Sequence, residues 1–350
     1  MAGGGSGGHV IPLLAVAEEL RHRGHQCVFI GTRTGFEARL VPAANFVLEY
    51  IEIGGLKRVG AMRVIRTLAQ LPAGTYRALR LFARYKPAAI FSLGGYAAGP
   101  VVIAGWWTRL PMVVMEPNAM PGFTNRWVGR VVSRALLNFP AAARFFPPGR
   151  SEVTGLPVRS EFFDIPAKPA TDKTTVLITG GSQGSRTLNN AARASWSLFH
   201  ESRFPVRFIH QTGRNMHEEL AAEFARTGLD GEVVPFIENM PAAFAQADLV
   251  VCRAGAGAMA ELAAAGKPSI LVPLPAAADD HQVHNARAFE FGGAGRLVLD
   301  REMNGERLYE EVKALASDAA ALKSMGEKAR SFAHPGAARR AADIMEEVSL

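Results

Sequence analysis

Strand-length apolar runs alternate with helical patterns along the whole chain, and this alternation restricts the possible folds more than any other feature. Continuous apolar runs are typical of strands that are buried on both faces, so we predict parallel βαβ units. The predicted strands are Cys27–Ile30, Phe46–Ile51, Ala89–Leu93, Met112–Met115 and Ala135–Leu137 in the first half, and Thr175–Thr179, Val206–His210, Glu232–Pro235, Leu249–Cys252, Ser269–Val272 and Arg296–Val298 in the second.

The alternation restarts after "GLPVRSEFFDIPAKPATDK", a loop rich in proline and charge. The chain has 350 residues, of which 48% are apolar, and this suffices for two cores. We therefore predict an α/β fold with two doubly wound domains, residues 1–156 and 157–332. A C-terminal helix in residues 333–350 is expected to pack back on the first domain. No apolar run reaches the length of a membrane span, and we expect no export signal.

Three glycine-rich turns stand out, at Gly3–Gly8, Gly94–Pro100 and Gly180–Ser185, and the second and third follow predicted strands. Such turns expose backbone amides at a helix N-terminus, where anions bind, so we predict phosphate-binding loops rather than merely tight turns. The first turn matches a dinucleotide-binding pattern. The second strand, however, ends in "GTR", without the acidic residue that a NAD ribose needs, so a NAD site is poorly supported.

A further glycine turn, within "RAGAGAMAELAAAGKPSILVPLP", leads into a helix that carries Glu261. A carboxylate at this position can accept hydrogen bonds from two adjacent hydroxyls, such as those of a ribose. The alternative is that Glu261 only interacts with the helix dipole, and the residues alone leave both interpretations open.

Positive charge is concentrated in the first half of the chain. Residues 1–155 contain 18 Lys and Arg but only 7 Asp and Glu, and no acidic residue occurs in 53–115. This asymmetry indicates a polyanionic partner, either a nucleic acid or an anionic membrane surface. No nucleic-acid-binding motif is visible, so we expect no nucleic-acid partner.

The basic stretch predicts a membrane-docking surface. We expect two helices, separated near Pro72 and Gly74, and a shared helix face formed by Arg77, Arg80 and Arg84. Indole rings favour the headgroup region, which would suit Trp106, Trp107 and Trp127. An ordinary core-facing helix with a solvated basic side would explain part of the same pattern.

Together these segments resemble the MurG family of bacterial cell-wall transferases, and the resemblance covers essentially the whole chain. The matching segments, in family order, are "GGSGGHVIPLLAVAEEL", "LGGYAAGP", "MEPNAMPGFTNRW", "TGLPVR", "GGSQGS", "HQTG", "PFIENM", "RAGAGAMAELAAAGKPSILVPLP" and "HQVHNA". The resemblance implies a GT-B fold, in which two Rossmann-like domains face each other across a cleft.

The resemblance also implies an activity. The family is an inverting glycosyltransferase that moves N-acetylglucosamine from UDP-GlcNAc to the C4 hydroxyl of the N-acetylmuramic acid (MurNAc) of lipid I, which is undecaprenyl-diphospho-MurNAc-pentapeptide. The product is lipid II, a precursor of peptidoglycan. The first domain would bind the acceptor and the membrane, and the second would bind UDP-GlcNAc. The implied location is peripheral, on the cytoplasmic face of the inner membrane, with other cell-wall synthesis proteins as partners.

Carried over by position, the resemblance assigns roles to individual residues. The donor-binding residues would be Ser6, Gly7, Gly8, Asn118, Arg159, Ser182, Ile237, Ala256, Gly257, Ala258, Met259, Glu261 and Gln282. The acceptor diphosphate would be bound by Gly5, Gly94, Gly95 and Tyr96. Ile237 would contact the uracil, Arg159 and Ser182 the diphosphate, and Gln282 and Asn118 the sugar.

His9 is the candidate general base, because an imidazole titrates near neutral pH. The alternative is that His9 only forms a hydrogen bond to the acceptor or to its own loop. We expect no cofactor and no metal, since no Asp-x-Asp pair occurs and the leaving diphosphate can be stabilised by helix N-termini and Arg159.

Two departures from the family and two alternative functions complete the predictions. Met115 and Pro117 replace the family's His and Gln beside Glu116, and Pro117 lacks a backbone donor. Only Met1 and Ala2 precede the first glycine loop, so we expect the first sheet to lack its central strand.

The alternative functions are those of another GT-B lipid glycosyltransferase and of a UDP-GlcNAc 2-epimerase, although residues 53–115 supply no catalytic carboxylates for the epimerase.

Overall fold

The computed structural model of the chain describes residues 1–4, 7–54, 61–95, 97–166, 168–169, 171–275 and 280–350, and it describes residues 7, 61–68 and 123 by their backbone alone. A parallel sheet organises each half. The strands of the first sheet are β1 (Ala2–Gly3), β2 (Val28–Gly31), β3 (Val47–Tyr50), β4 (Ile90–Gly94), β5 (Met112–Glu116), β6 (Arg134–Leu137) and β7 (Ser151–Val153). Their order across the described sheet is β3-β2-β1-β4-β5-β6-β7.

The second sheet has the strand order β10-β9-β8-β11-β12-β13 over the described residues. Its strands are β8 (Thr174–Thr179), β9 (Val206–Gln211), β10 (Asp230–Val234), β11 (Leu249–Cys252), β12 (Ser269–Leu271) and β13 (Arg296–Leu297). All neighbouring strands in both sheets pair in parallel. Both sheets are therefore of the doubly wound type, in which the carboxyl ends of the strands form the ligand edge.

Helices connect the strands. The first half contains α1 (Gly7–His22), α2 (Glu37–Ala43), α3 (Ala61–Tyr85), α4 (Ala98–Thr108) and α5 (Phe123–Val128). The second half contains α6 (Arg186–Ser202), α7 (His217–Phe224), α8 (Met240–Gln246), α9 (Ala256–Ala265), α10 (His281–Phe291), α11 (Gly305–Ala316) and α12 (Ala319–Arg330), and α13 (Ala337–Ser349) ends the chain. Short 3-10 helices lie at Pro140–Phe145, Ser160–Phe162, Arg214–Met216 and Asp300–Glu302.

The chain forms two units with separate cores. Unit 1 comprises Met1–Val158 and Gly336–Leu350, and unit 2 comprises Arg159–Pro335. Helix α13 belongs to unit 1, where it contacts α1. Arg23 of α1 donates to Asp343 (2.7 Å) and Glu346 (2.8 Å) of α13. These ion pairs connect the end of the chain to the first helix.

The first sheet does have its central strand, so the prediction that this strand is missing is wrong. Strand β1 lies between β2 and β4, with Ala2 opposite Ile30 on one side and Ser92 on the other. Ile30 N–H donates to the Met1 carbonyl (2.9 Å), and Ala2 is fully buried. Two small residues are therefore sufficient to close the sheet at this position.

Helix α3 is also continuous, and the predicted break near Pro72 and Gly74 is wrong. Pro72 lies inside the helix. A Cβ atom on Gly74 would lie only 3.0 Å from Pro100 of α4, so Gly74 is a point of close helix approach rather than a helix terminus. Packing of α3 on α4 outweighs the local cost of proline and glycine. Among the helices in the described part of the chain, none combines the length and the apolar character that crossing a bilayer requires.

Candidate functional site

In unit 1, the first two glycine loops meet at His9. His9 lies in the first turn of α1, directly after β1, and its Nδ1 is 3.4 Å from the Gly4 carbonyl oxygen. A Cβ atom on Gly95 would lie 3.1 Å from that same oxygen and 3.5 Å from His9 Nδ1. Gly94 and Gly95 both have positive φ, of 79° and 83°. Only glycine fits this approach without strain, so the loops after β1 and β4 form one surface with His9.

The contact with Gly4 favours one tautomer of His9. A carbonyl oxygen can only accept a hydrogen bond, so Nδ1 carries the proton when this bond forms. In the neutral ring, Nε2 is then the nitrogen that can accept a proton. His9 is partly exposed, which is the arrangement that a general base requires.

Behind these loops, Glu116 lies at the end of β5 and organises a buried polar cluster. Its carboxylate accepts hydrogen bonds from the Asn118 N–H (2.9 Å), Asn118 Nδ2 (3.2 Å), Asn125 Nδ2 (2.8 Å) and the Gly122 N–H (3.3 Å). Burial raises the pKa of Glu116 to about 7, although these donors favour the charged form. The cluster extends to the second glycine loop, because a Cβ atom on Gly94 would lie 2.5 Å from Asn125 Oδ1.

In unit 2, the third glycine turn packs backbone against backbone. It follows β8 and leads into α6, whose N-terminus is capped by Ser185. A Cβ atom on Gly184 would lie 1.8 Å from the Thr212 carbonyl oxygen, and one on Gly213 would lie 2.3 Å from the Gln183 carbonyl oxygen. The turn therefore needs glycine at these crossings, and it leaves Ser182 exposed at its tip.

Gln211, at the end of β9, connects this turn to the segment that contains Ile237. Its Nε2 donates to Thr179 Oγ1 (3.1 Å) and to the Gly181 carbonyl (2.9 Å). Its Oε1 accepts from the Ile237 N–H (2.8 Å). The buried amide of Gln211 thus fixes both the candidate diphosphate turn and the candidate uracil contact.

Helix α9 starts directly after the turn that follows β11, and it places Glu261 in its second turn. Ala256, Gly257 and Ala258 at the helix start are partly exposed. Met259 is fully buried, because a methionine at this position of the helix points into the core, and its contact with the nucleotide stays a prediction.

Glu261 is partly buried, and its contacts differ from those of Glu116. Among the described residues, its partly buried carboxylate has no hydrogen bond and no ion pair. Burial raises the pKa of Glu261 to about 7, and the positive charge of Arg159 opposes this rise. An unsatisfied acceptor in a partly buried position is costly unless a ligand supplies donors.

The remaining predicted donor residues also lie in unit 2. Gln282 begins α10, and its Oε1 accepts from the Leu274 N–H (3.0 Å), which connects it to the loop after β12. A Cβ atom on Gly255 would lie 3.9 Å from Gln282 Nε2, so Gln282 also reaches the start of α9. The exposed Arg159 lies over the ring of Phe162, 5.1 Å from its centroid.

Unit 2 therefore brings most of the predicted donor residues to the carboxyl edge of its sheet. Asn118 belongs to unit 1, where its amide donates to Glu116. Gly7 and Gly8 begin α1 beside His9. The predicted residues Gly5, Ser6 and Tyr96 lie outside the described residues. The sequence interpretation gave no role to Gln211 or Asn125, although both lie in quoted motifs. The available signal for Gln211 was a polar residue next to the end of an apolar strand, whereas Asn125 lies in α5, away from any strand end.

Comparisons with known proteins agree along the whole chain. Residues 1–137 match the model of the glycosyltransferase family 28 N-terminal domain, and residues 175–348 match that of the C-terminal domain. A Solibacter usitatus protein named UDP-N-acetylglucosamine–N-acetylmuramyl-(pentapeptide) pyrophosphoryl-undecaprenol N-acetylglucosamine transferase is 60% identical over 349 residues, covering 100% of this chain and 95% of its own. A Myxococcus xanthus protein of the same name is 41% identical, covering 100% and 92%.

Solved structures give the same result. The crystal structure of Acinetobacter baumannii MurG has a TM-score of 0.85 and 33% identity, covering 98% of this chain and 97% of its own. A UDP-GlcNAc 2-epimerase from Neisseria meningitidis has a TM-score of 0.68 at 12% identity, a likeness of fold alone. The predicted GT-B class of α/β fold is confirmed, and the chain belongs to glycosyltransferase family 28 and, within it, to the MurG transferases.

Proposed function

We propose that this protein transfers N-acetylglucosamine from UDP-GlcNAc to the C4 hydroxyl of the MurNAc of lipid I and so forms lipid II for peptidoglycan synthesis. Its relatives are named for this transfer. The observation that carries the proposal is Glu261. Its carboxylate has no hydrogen bond among the described residues, lies near the start of α9 in the second unit, and is suited to bind the two hydroxyls of a ribose.

The donor is bound by unit 2. Glu261 accepts hydrogen bonds from the ribose hydroxyls, and the backbone near Ile237 contacts the uracil. Ser182 and Arg159 hold the diphosphate near the start of α6, where the helix dipole favours negative charge. Gln282 binds the sugar hydroxyls or its acetamido group.

The acceptor is bound by unit 1. Its diphosphate lies against the glycine loops after β1 and β4, which include Gly94 and Gly95. His9 Nε2 removes the proton from the C4 hydroxyl while the oxygen forms a bond to C1 of N-acetylglucosamine. The bond between C1 and the UDP oxygen breaks in the same step, and UDP leaves with the electron pair. One displacement on C1 inverts the α-linked donor into a β-linked product.

A disaccharide-lipid assay tests this function directly. The protein is incubated with radiolabelled UDP-GlcNAc and a short-chain lipid I analogue, and the products are separated by chromatography. Transfer of label to the lipid supports the proposal. Transfer to diacylglycerol instead would indicate another lipid glycosyltransferase. Conversion of UDP-GlcNAc without any acceptor would indicate an epimerase and would contradict the proposal.

We further propose that unit 1 docks peripherally on the cytoplasmic face of the inner membrane. Three tryptophans on α4 and α5 are strongly exposed: Trp106 (60%), Trp107 (69%) and Trp127 (63%). Indole rings favour the headgroup region, and basic residues near an anionic leaflet contribute on the order of 1 kcal/mol each. Arg77 and Arg84 of α3 are exposed but also face Glu49, at 3.6 and 3.5 Å, which weakens their contribution.

Vesicle sedimentation tests the docking. Binding is expected to rise with anionic lipid, to fall with salt, and to drop when Arg77, Arg80 and Arg84 are replaced by Glu. A matched control replaces three exposed basic residues of unit 2 by Glu: Arg226, Arg301 and Lys323. Equal loss of binding in both triple variants would show that net charge alone is responsible and would remove α3 as the docking surface. Replacement of Trp106 and Trp107 by Ser tests the aromatic contribution separately.

A further inference from the structure

A buried glutamate that the function above does not use packs against Gly4, whose carbonyl contacts the candidate base. Glu37 is the first residue of α2 and is 1% exposed. Its Oε1 accepts two hydrogen bonds from Thr32, which follows β2: one from the N–H (2.9 Å) and one from Oγ1 (2.8 Å). These donors fix the direction of the carboxylate.

Three glycines make room for this side chain: Gly4 after β1, Gly31 at the end of β2, and Gly35 just before α2. A Cβ atom on Gly4 would lie 2.4 Å from Glu37 Oε1, one on Gly31 would lie 2.6 Å from Glu37 Cγ, and one on Gly35 would lie 2.0 Å from Glu37 Oε2. Carbon atoms do not approach oxygen or carbon this closely. The carboxylate therefore occupies the space that side chains at these positions would take, and it packs directly against Gly4.

Gly4 is also the residue that orients His9. Its carbonyl oxygen accepts from His9 Nδ1 and lies against Gly95 of the second glycine loop. The order of contacts is therefore Thr32 to Glu37, Glu37 to Gly4, and Gly4 to His9. A shift of the carboxylate would move the Gly4 carbonyl, which is in contact with His9 Nδ1.

We propose that Glu37 is a positioning residue for His9: it fixes the Gly4 carbonyl, which holds the imidazole in the tautomer protonated on Nδ1. This inference rests on the proposed role of His9 as base. Glu37 touches no substrate and acts through Gly4. A misplacement of about 1 Å in a reacting group can lower a rate on the order of 100-fold. Loss of the packing between Glu37 and Gly4 should therefore affect turnover more than donor binding.

Three variants test the position of the Glu37 carboxylate, its charge and the stability of the fold separately. Glu37→Ala removes the carboxylate that packs against Gly4. Gly35→Ala retains the charge but places a methyl group where Glu37 Oε2 lies. Glu37→Gln preserves the shape and one acceptor for Thr32, and it is expected to retain function. The matched control is Glu311→Ala in unit 2, where a carboxylate 6% exposed pairs with Arg296 and Arg307.

The first readout is the tautomer of His9, measured on ¹⁵N-histidine-labelled protein by NMR without substrate and assigned with His9→Ala. We expect the Nδ1-protonated form in the unmodified protein and in Glu37→Gln, and a mixture of tautomers in Glu37→Ala and Gly35→Ala. The second readout is kinetic: kcat should fall about 10- to 100-fold in the latter two variants, while KM for UDP-GlcNAc stays within about twofold.

The control gives the contrasting result, with a lower Tm in Glu311→Ala and an unchanged kcat. If Glu37→Ala and Gly35→Ala lower only the Tm and retain both the tautomer and kcat, Glu37 is structural and the inference is wrong. It is also wrong if Glu37→Gln is as impaired as Glu37→Ala. Because the tautomer is measured without substrate, this result stands even if the lipid assay contradicts the proposed function.

Discussion

Replacing Glu261 by Gln should stabilise the ligand-free protein and weaken its nucleotide binding at the same time. The stabilisation follows from burial, which raises the pKa of this carboxyl from 4.5 to about 7. Each pKa unit corresponds to about 1.4 kcal/mol, so the charged carboxylate costs the folded state up to about 3 kcal/mol. Glutamine has nearly the same shape and no charge, and it avoids this cost.

The pH dependence of this effect has a definite sign. Between pH 4.5 and about 7 the folded protein holds a proton on Glu261 that the unfolded chain has already released. The stability of the unmodified protein therefore falls as the pH rises through this window. The difference between Glu261→Gln and the unmodified protein should be near zero at pH 4.5 and largest above pH 7.5. Glu116, with a pKa of about 7, contributes equally to both proteins and cancels.

The loss of binding follows from the ribose contact. Hydrogen bonds to a charged acceptor are worth about 1.5–3 kcal/mol, so UDP should bind roughly 10- to 150-fold more weakly to Glu261→Gln. Calorimetry with UDP and 2′-deoxy-UDP tests the contact itself. The unmodified protein should prefer UDP, whereas Glu261→Gln should bind both nucleotides with similar affinity.

Thermal unfolding at pH 5 and pH 8 tests the stability. An unchanged UDP affinity together with a lower Tm at pH 8 would refute this reasoning, since Glu261 would then stabilise the fold and have no role in the site.

Three further changes test other parts of the site. His9→Ala should lower turnover by about 10²- to 10⁴-fold with little change in UDP-GlcNAc affinity, and a loss below about tenfold would show that His9 is not the base. Gly184→Ala should lower both the Tm and UDP affinity, because φ is +73° and the new Cβ would lie 1.8 Å from the Thr212 carbonyl oxygen. Gly122→Ala, whose Cβ meets nothing within 4 Å, is its control. Glu116→Gln turns an amide N–H2 toward the Asn118 and Asn125 donors and should cost about 1–3 kcal/mol in urea unfolding, whereas an unchanged midpoint would contradict the hydrogen bonds described.

The sheets were largely predictable because their strands are buried on both faces. Each of the eleven predicted apolar runs overlaps an observed strand. The sequence interpretation missed β1 and β7 for different reasons. Strand β1 consists of Ala2 and Gly3, too short for any periodicity, and β7 is the edge strand "SEV", whose residues are only partly buried. Both depend on neighbours that are distant in sequence.

The glycine turns were predictable as well, since each lies where a strand gives way to a helix. The side chains that the glycines accommodate were not. Gly4, Gly31 and Gly35 are glycine because Glu37 fills the space beside them, and Gly94 because of Asn125. The pairing of each glycine with the side chain that packs against it is visible only in the folded protein, where residues from several strand-to-helix loops meet at one sheet edge. A pattern can thus indicate a close approach, but not which side chain makes it necessary.

The buried glutamates together support the assignment of Glu261. Glu37 accepts two hydrogen bonds from Thr32, Glu116 accepts four from its surroundings, and Glu311 pairs with two arginines. Folded proteins rarely leave a buried acceptor unsatisfied, and exceptions concentrate at functional sites. Glu261 is only partly buried, but within the described residues its carboxylate has no hydrogen bond, and burial raises its pKa to about 7. A ligand that brings two hydroxyls to this carboxylate recovers the cost of this burial on binding, so the same feature that destabilises the empty protein favours the nucleotide.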